Sequence, residues 1–166
     1  MEDRIHRVIV VGGGSAGWLA AALIAAEHRI DDDSERPFEL VLVESPDVPT
    51  IGVGEGTWPS MRSTLQRIGI TETEFIRECD ASFKQGTWFR NWRTGSGDTY
   101  SHPFTVPVDY ADINLAPHWL ALNDAPPFAD AVTPQTALFA DCLAPKQITT
   151  PEYAFVVNYG YHLDAG

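Results

Sequence analysis

The sequence predicts an α/β fold, and three stretches near its start carry that prediction. Val8-Ile9-Val10-Val11 is β-branched, Trp18-Leu19-Ala20-Ala21-Ala22-Leu23-Ile24 is rich in helix formers, and Phe38-Glu39-Leu40-Val41-Leu42-Val43-Glu44 returns to strand residues. Between the first strand and the helix lies Gly12-Gly13-Gly14-Ser15-Ala16-Gly17. In the order Gly12-x-Gly14-x-x-Gly17, the first glycine permits a sharp turn, the second admits a pyrophosphate, and the third lets the helix approach the strand. The N–H groups at the helix start, from Ser15, Ala16 and Gly17, then face a diphosphate with the positive end of the helix dipole behind them. This strand-turn-helix-strand order is a partial Rossmann-like unit.

A signal peptide or membrane span is the rival for residues 8–26, which carry no charge and follow Arg4 and Arg7. The central glycines and the immediate Glu27-His28-Arg29 fit neither.

The helix is expected from Ser15 to about His28, followed by a polar surface loop over residues 30–37. The second strand ends on Glu44, the position from which a carboxylate accepts hydrogen bonds from ribose hydroxyls in such folds. Its spacing from Gly17 exceeds the usual ~20 residues, and the acidic loop supplies the excess. Residues 45–59 hold Pro46, Pro49 and Pro59 among Gly52, Gly54 and Gly56, which predicts extended backbone lying close to another group.

Met61, Leu65 and Ile68 form one face of a short helix that begins at Pro59 and is closed by Gly69. Thr71-Glu72-Thr73-Glu74 is a capping box for a helix to about Cys79. Phe83 to Arg93 is expected to be one strand, with Lys84, Gly86, Trp88, Arg90 and Trp92 on one face. On that pattern alone Lys84 either snorkels to water or sits in an enclosed site. From Thr94 onward Gly and Pro allow only short elements, such as a helix near Pro134 to Leu143, and His102 reads as a loop residue. Tyr153 to Tyr159 is expected to be a final strand.

The length of 166 residues suits one domain, and 44% hydrophobic residues suit a globular one. The formal charge of −12 opposes binding to nucleic acid or anionic membrane. Cys79 and Cys142 have no His or Cys at ligand spacing, so no metal site is expected, and a reducing cytoplasm is the expected location.

Four stretches together resemble the flavin-dependent halogenases of the tryptophan halogenase type. They are Val11 to Trp18, Glu44 to Thr57, Phe83-Lys84 with Asn91-Trp92-Arg93, and His102-Pro103-Phe104. The resemblance implies that residues 1–166 are the amino-terminal part of a single FAD-dependent halogenase domain, in which substrate-side elements are inserted into an FAD-binding fold. The remainder would lie beyond Gly166, including a Trp-x-Trp-x-Ile-Pro segment and an acidic residue that helps deprotonate the ring. It implies that the glycine turn holds FAD and that Val53, Gly54 and Glu55 belong to a strap over the flavin. Lys84 becomes the catalytic lysine, and His102 and Phe104 lie against the substrate.

The implied chemistry uses reduced FAD from a separate flavin reductase, oxygen, and chloride or bromide. It yields hypohalous acid, which Lys84 directs at an electron-rich aromatic ring, either as an ammonium or as a neutral amine. Gly56-Thr57-Trp58-Pro59 stands where tryptophan-acting relatives have Ala-Thr-Ile-Pro, and the stretch from Trp92 to His102 is short. An indole or another electron-rich aromatic is therefore the expected substrate. A related FAD- or NAD(P)-dependent aromatic monooxygenase, or a nucleotide-binding chain without catalysis, stays open.

Overall fold

The computed structural model describes residues 4–30, 37–48, 54–153 and 157–163. Strand β1 (Arg7–Val11), helix α1 (Ser15–Glu27) and strand β2 (Glu39–Val43) form the opening unit in the expected order. β1 and β2 pair in parallel, with Val8 opposite Leu40 and Val11 opposite Val43. The Gly12 N–H prolongs this ladder by donating to Val43 O at 2.9 Å, with Gly12 at φ +117°. Residue 17 admits no side chain, because a Cβ there would lie 1.9 Å from the Gly12 carbonyl oxygen. That contact is the close helix-to-strand approach expected of the third glycine. α1 is apolar on every side, and the pair it packs on leaves Val11 82% exposed. The parallel pair thus presents apolar surface of the kind that such sheets ordinarily cover on both faces.

The core lies elsewhere in the chain. Leu65 of α2 (Ser60–Arg67), Phe75 of α3 (Glu72–Glu78), Tyr159 and Tyr161 form its buried centre, with Met61, Ile68 and Phe83 packed around them. α2 uses the expected face, since its apolar residues recur at helical spacing. The Thr71 hydroxyl caps α3 by accepting from Glu74 N–H at 3.3 Å. Edge-on ring pairs, Phe75 with Tyr161 and Phe83 with Tyr159, have centroids 5.0 Å apart. Such pairs add about 0.5–1.5 kcal/mol each beyond the area they bury.

Three sequence expectations are corrected. Phe83 to Arg93 is two strands, β4 (Ser82–Lys84) and β5 (Gly86–Arg90), in different sheets. The break falls at Gln85, which is buried and whose side chain donates to Leu143 O at 2.7 Å, while its own carbonyl accepts from Phe104 N–H. Gly86 follows because a Cβ there would meet His102 O at 2.6 Å.

The second correction concerns His102, which lies in strand β6 (Thr99–Pro103), antiparallel to β5, rather than in a loop. Asp98 closes that hairpin by accepting from the Thr94 hydroxyl and from the Arg93 and Thr94 backbone N–H groups at 3.0 Å. Those bonds, led by the Thr94 hydroxyl, hold its pKa down to about 2.

Third, among the described residues the final strand is β7 (Gly160–Leu163); of the expected strand Tyr153 to Tyr159, residue 153 and residues 157–159 are not in a strand, and residues 154–156 lie outside the described residues. Residue propensity marked the stretch before Gly160, but tertiary pairing selects the one that contains it. Helices α4 (Ala116–Leu120), α5 (Phe128–Val132) and α6 (Gln135–Ala140) are short, as the prolines require. Among the described residues no helix is long and apolar enough to cross a membrane, and no group of His, Cys, Asp and Glu could hold a metal.

β7 lies between β4 and strand β3 (Glu55–Gly56), antiparallel to both. A Cβ on Gly160 would lie 2.4 Å from the Thr57 carbonyl oxygen, which is backbone and cannot swing aside. Gly160→Ala in the full natural chain is therefore expected to lower stability by about 1–3 kcal/mol. Its urea unfolding midpoint measures this, and an unchanged midpoint would refute the packing argument.

Candidate active site

At the glycine turn, apart from the adjoining residues, no atom of the described residues lies within 4 Å of where a Cβ on Gly12 or Gly14 would stand. Gly14 precedes α1 without a capping side chain, and the first turn of α1 holds no acidic residue. The N–H groups of Ser15, Ala16 and Gly17 therefore head a helix whose positive end is open to an anion. Glu44, just past β2, leans over Gly13, where a Cβ would meet its Oε2 at 1.8 Å. This combination of donors, open space and an adjacent carboxylate fits the diphosphate and ribose of FAD. Glu55 of β3 also reaches this end of α1, its Oε1 accepting from the Ser15 hydroxyl at 3.4 Å. Gly54 and Glu55 thus run beside the turn, and Val53 lies outside the described residues.

The next residue faces the other way. Side chains alternate along strands, so the Gly56 position points opposite to Glu55. A Cβ on Gly56 would lie 3.0 Å from Lys84 Nζ and 3.4 Å from His162 Nδ1. Register explains the meeting: Gly56 pairs with His162, and Gly160 with Lys84, on one face of the β3-β7-β4 sheet. Glycine at position 56 thus lets the amine lie close against the backbone of β3.

Lys84 does not share its surroundings with Trp88 and Trp92, as a single strand would require. The break at Gln85 carries those rings away, Trp88 against Phe139 at 5.3 Å and Trp92 against Phe89 at 5.7 Å. Instead Lys84 Nζ lies 5.6 Å from the ring centroids of both Trp58 and Phe104, within cation–π reach. Those two rings lie 5.5 Å apart and line an apolar cavity of about 630 Å³, shared with Tyr100, His102, Phe128 and Val132. That volume falls within the range that holds small organic ligands. His102 therefore lines the cavity from β6, whereas Phe104 joins it to the lysine.

Behind the sheet is a buried carboxylate. Glu72 is 2% exposed, and its Oε1 accepts from the hydroxyls of Tyr159 and of Tyr161, the latter at 2.8 Å. Lys146 Nζ donates to Oε2. Burial works to raise the pKa of Glu72, but Lys146 and the two hydroxyls outweigh it and hold the carboxyl below its ordinary 4.5. Burial, reinforced by that carboxylate, pushes both phenols far above their ordinary 10. The Arg62 guanidinium covers the Tyr159 ring at 4.6 Å.

A family model described as tryptophan halogenase matches residues 7–166. The chain belongs to the tryptophan halogenase family. It is similar to the tryptophan 6-halogenase ThaL of Streptomyces albogriseolus, with 33% identity over 99% of this chain and 33% of that protein. The solved structure of a tryptophan halogenase from Shewanella frigidimarina is 51% identical with a TM-score of 0.88, over 99% of this chain and 33% of that one. BrvH, a flavin-dependent halogenase from Brevundimonas sp. BAL3, is 31% identical with a TM-score of 0.74, over 98% of this chain and 32% of BrvH. The chain spans about one third of the length of these relatives. Its α/β architecture is that of flavin-dependent halogenase structures, an FAD-binding Rossmann-like fold of which this is a part.

In this member of the tryptophan halogenase family, sequence reasoning did not single out Trp58, Gly160 or His162 as neighbours of Lys84, or Glu72 as a buried carboxylate behind the sheet. Trp58 carried a signal as a departure from the Ile of relatives, and Tyr159-Gly160-Tyr161 as a glycine between aromatics. Glu72 carried none, because the second residue of a capping box is ordinarily exposed.

A carboxyl with a depressed folded pKa stabilises the fold above its ordinary value, and that stability is lost as pH falls through the lowered one. The urea unfolding free energy of the full natural chain should therefore decline below about pH 4.5, and Glu72→Gln should flatten that decline. An identical acid dependence in the variant would contradict the assignment.

Proposed function

We propose that residues 1–166 form the amino-terminal part of an FAD-dependent halogenase that acts on an electron-rich aromatic ring, an indole or tryptophan-like compound. The observation that carries this reading is the seat of Lys84: its amine lies against the strap at Gly56, beside two rings that wall an apolar cavity.

In this reading Gly12, Gly14, Ser15, Ala16 and Gly17 bind the diphosphate, Glu44 the ribose, and Val53, Gly54 and Glu55 cross over the flavin ring. FAD, reduced by a separate flavin reductase, supplies the oxidising chemistry that converts oxygen and chloride or bromide to hypohalous acid. Lys84, on the far face of the strap from Glu55, meets that acid. Flanked by two rings, its amine group donates a hydrogen bond to the hypohalous oxygen. The ring carbon takes the halogen, the oxygen leaves as water, and the ring loses its proton. Free hypohalous acid attacks indiscriminately, so selectivity requires one donor fixed beside one ring carbon. His102, Phe104 and Trp58 hold the aromatic substrate by stacking, consistent with the preference of aromatic pairs for ring centroids about 4.5–7 Å apart.

The test uses the full natural chain with reduced FAD, oxygen, bromide or chloride, and an indole. Halide-dependent halogenated product is expected, and Lys84→Ala should abolish it while FAD affinity, followed by flavin fluorescence, stays within about twofold. Undiminished product from Lys84→Ala would remove the lysine from the mechanism. Hydroxylated product independent of halide would instead indicate a monooxygenase.

A further inference from the structure

We infer that Glu72 is a positioning residue that fixes the spacing between Lys84 and the strap, an inference that rests on the role given to Lys84 above. The strap joins the sheet through two residues, Glu55 and Gly56, and Lys84 ends a strand of three. These strands do not pair with each other; each pairs with β7, which lies between them. The separation of amine and strap is therefore whatever β7 makes it.

β7 is itself held from behind. Gly160, the register partner of Lys84, stands between Tyr159 and Tyr161, both fully buried. Alternation sends those two side chains to the face opposite Lys84, where both hydroxyls donate to the same oxygen of Glu72. One carboxylate thus grips the chain on both sides of the residue that faces the lysine.

The grip extends to the strap. Tyr161 N–H donates to Thr57 Oγ1 at 2.9 Å, and Thr57 N–H donates to Tyr161 O at 2.8 Å. Thr57 adjoins Gly56, so a shift of Tyr161 is passed to the residue against which the amine rests. Packing alone tolerates small slides, whereas hydrogen bonds to a buried charge fix direction and length. Lys146 completes the arrangement by holding the second carboxylate oxygen.

Glu72→Gln keeps the volume but replaces one carboxylate oxygen by an NH₂ donor. It can no longer accept from two phenols and an ammonium together. In the full natural chain with FAD, two readouts decide. The first is NMR of the protein made with ¹³Cε-labelled lysine, which leaves every amine unmodified, with Lys84 assigned from Lys84→Arg. The Lys84 Cε signal, shifted by the Trp58 and Phe104 rings, should move toward the position of solvent-exposed lysines in Glu72→Gln. The second is halogenated product per FAD oxidised, which should fall about tenfold or more, as for misplaced catalytic groups, while oxidant reaching an added scavenger rises. Both readouts are taken only on variant protein shown to be folded by its circular dichroism and to bind FAD as the wild type does, because an unfolded chain would also give a solvent-exposed lysine signal and unproductive FAD oxidation.

A folded Glu72→Gln with an unmoved Lys84 signal and wild-type product per FAD overturns the inference. Should that variant not fold, Tyr161→Phe, which removes one hydroxyl and keeps the ring, is judged by the same two readouts. Absence of halogenated product from the wild type would overturn the proposed function instead, and the NMR signal would still decide the positioning.

Discussion

The antiparallel pairing of β7 with two short strands is the constraint from which the candidate site follows. Gly160 allows the Thr57 backbone to close in, and Gly56 allows Lys84 to do so. A side chain at position 160 would force the Thr57 backbone away, and one at position 56 would press on the Lys84 amine. Because Glu55 and Gly56 are consecutive in a strand, one side chain turns toward the glycine turn and the next position toward the lysine. The glycine turn and the Lys84 amine thereby lie on opposite sides of one layer of backbone.

Electrostatics reinforces that layer from within the core. A carboxylate removed from water is costly unless charge and hydrogen bonds replace the lost hydration. Glu72 receives both, from an ammonium and two phenols, and its pKa falls despite burial. The same exchange ties α3 and the segment around Lys146 to β7, so the core of aromatic rings also sets register.

Local signals made the opening unit legible. Val8 to Val11, the glycine turn and the Ala-rich helix each state their own conformation, and the structure places β1, α1 and β2 accordingly. Phe83 to Arg93 misled because alternation continues through Gln85, and the reason for the break is Leu143, distant in sequence. For the same reason Trp88 and Trp92 lie away from the lysine, and Trp58 joins Phe104 as its ring neighbour. Val157 to Tyr159 had the propensity of a strand, but the pairing with β4 falls on Gly160 to His162. Propensity is a local quantity; which strands meet is not.

The central claim is that Lys84 works across the strap from FAD and beside the aromatic substrate. A crystal structure of the full natural chain with FAD and an indole bound tests it most directly. The account predicts FAD on the Glu55 side of the strap and the indole stacked by Phe104 and Trp58, with Lys84 Nζ within about 3–4 Å of a ring carbon. An indole seated away from that cavity, or Lys84 turned into bulk water, would contradict it.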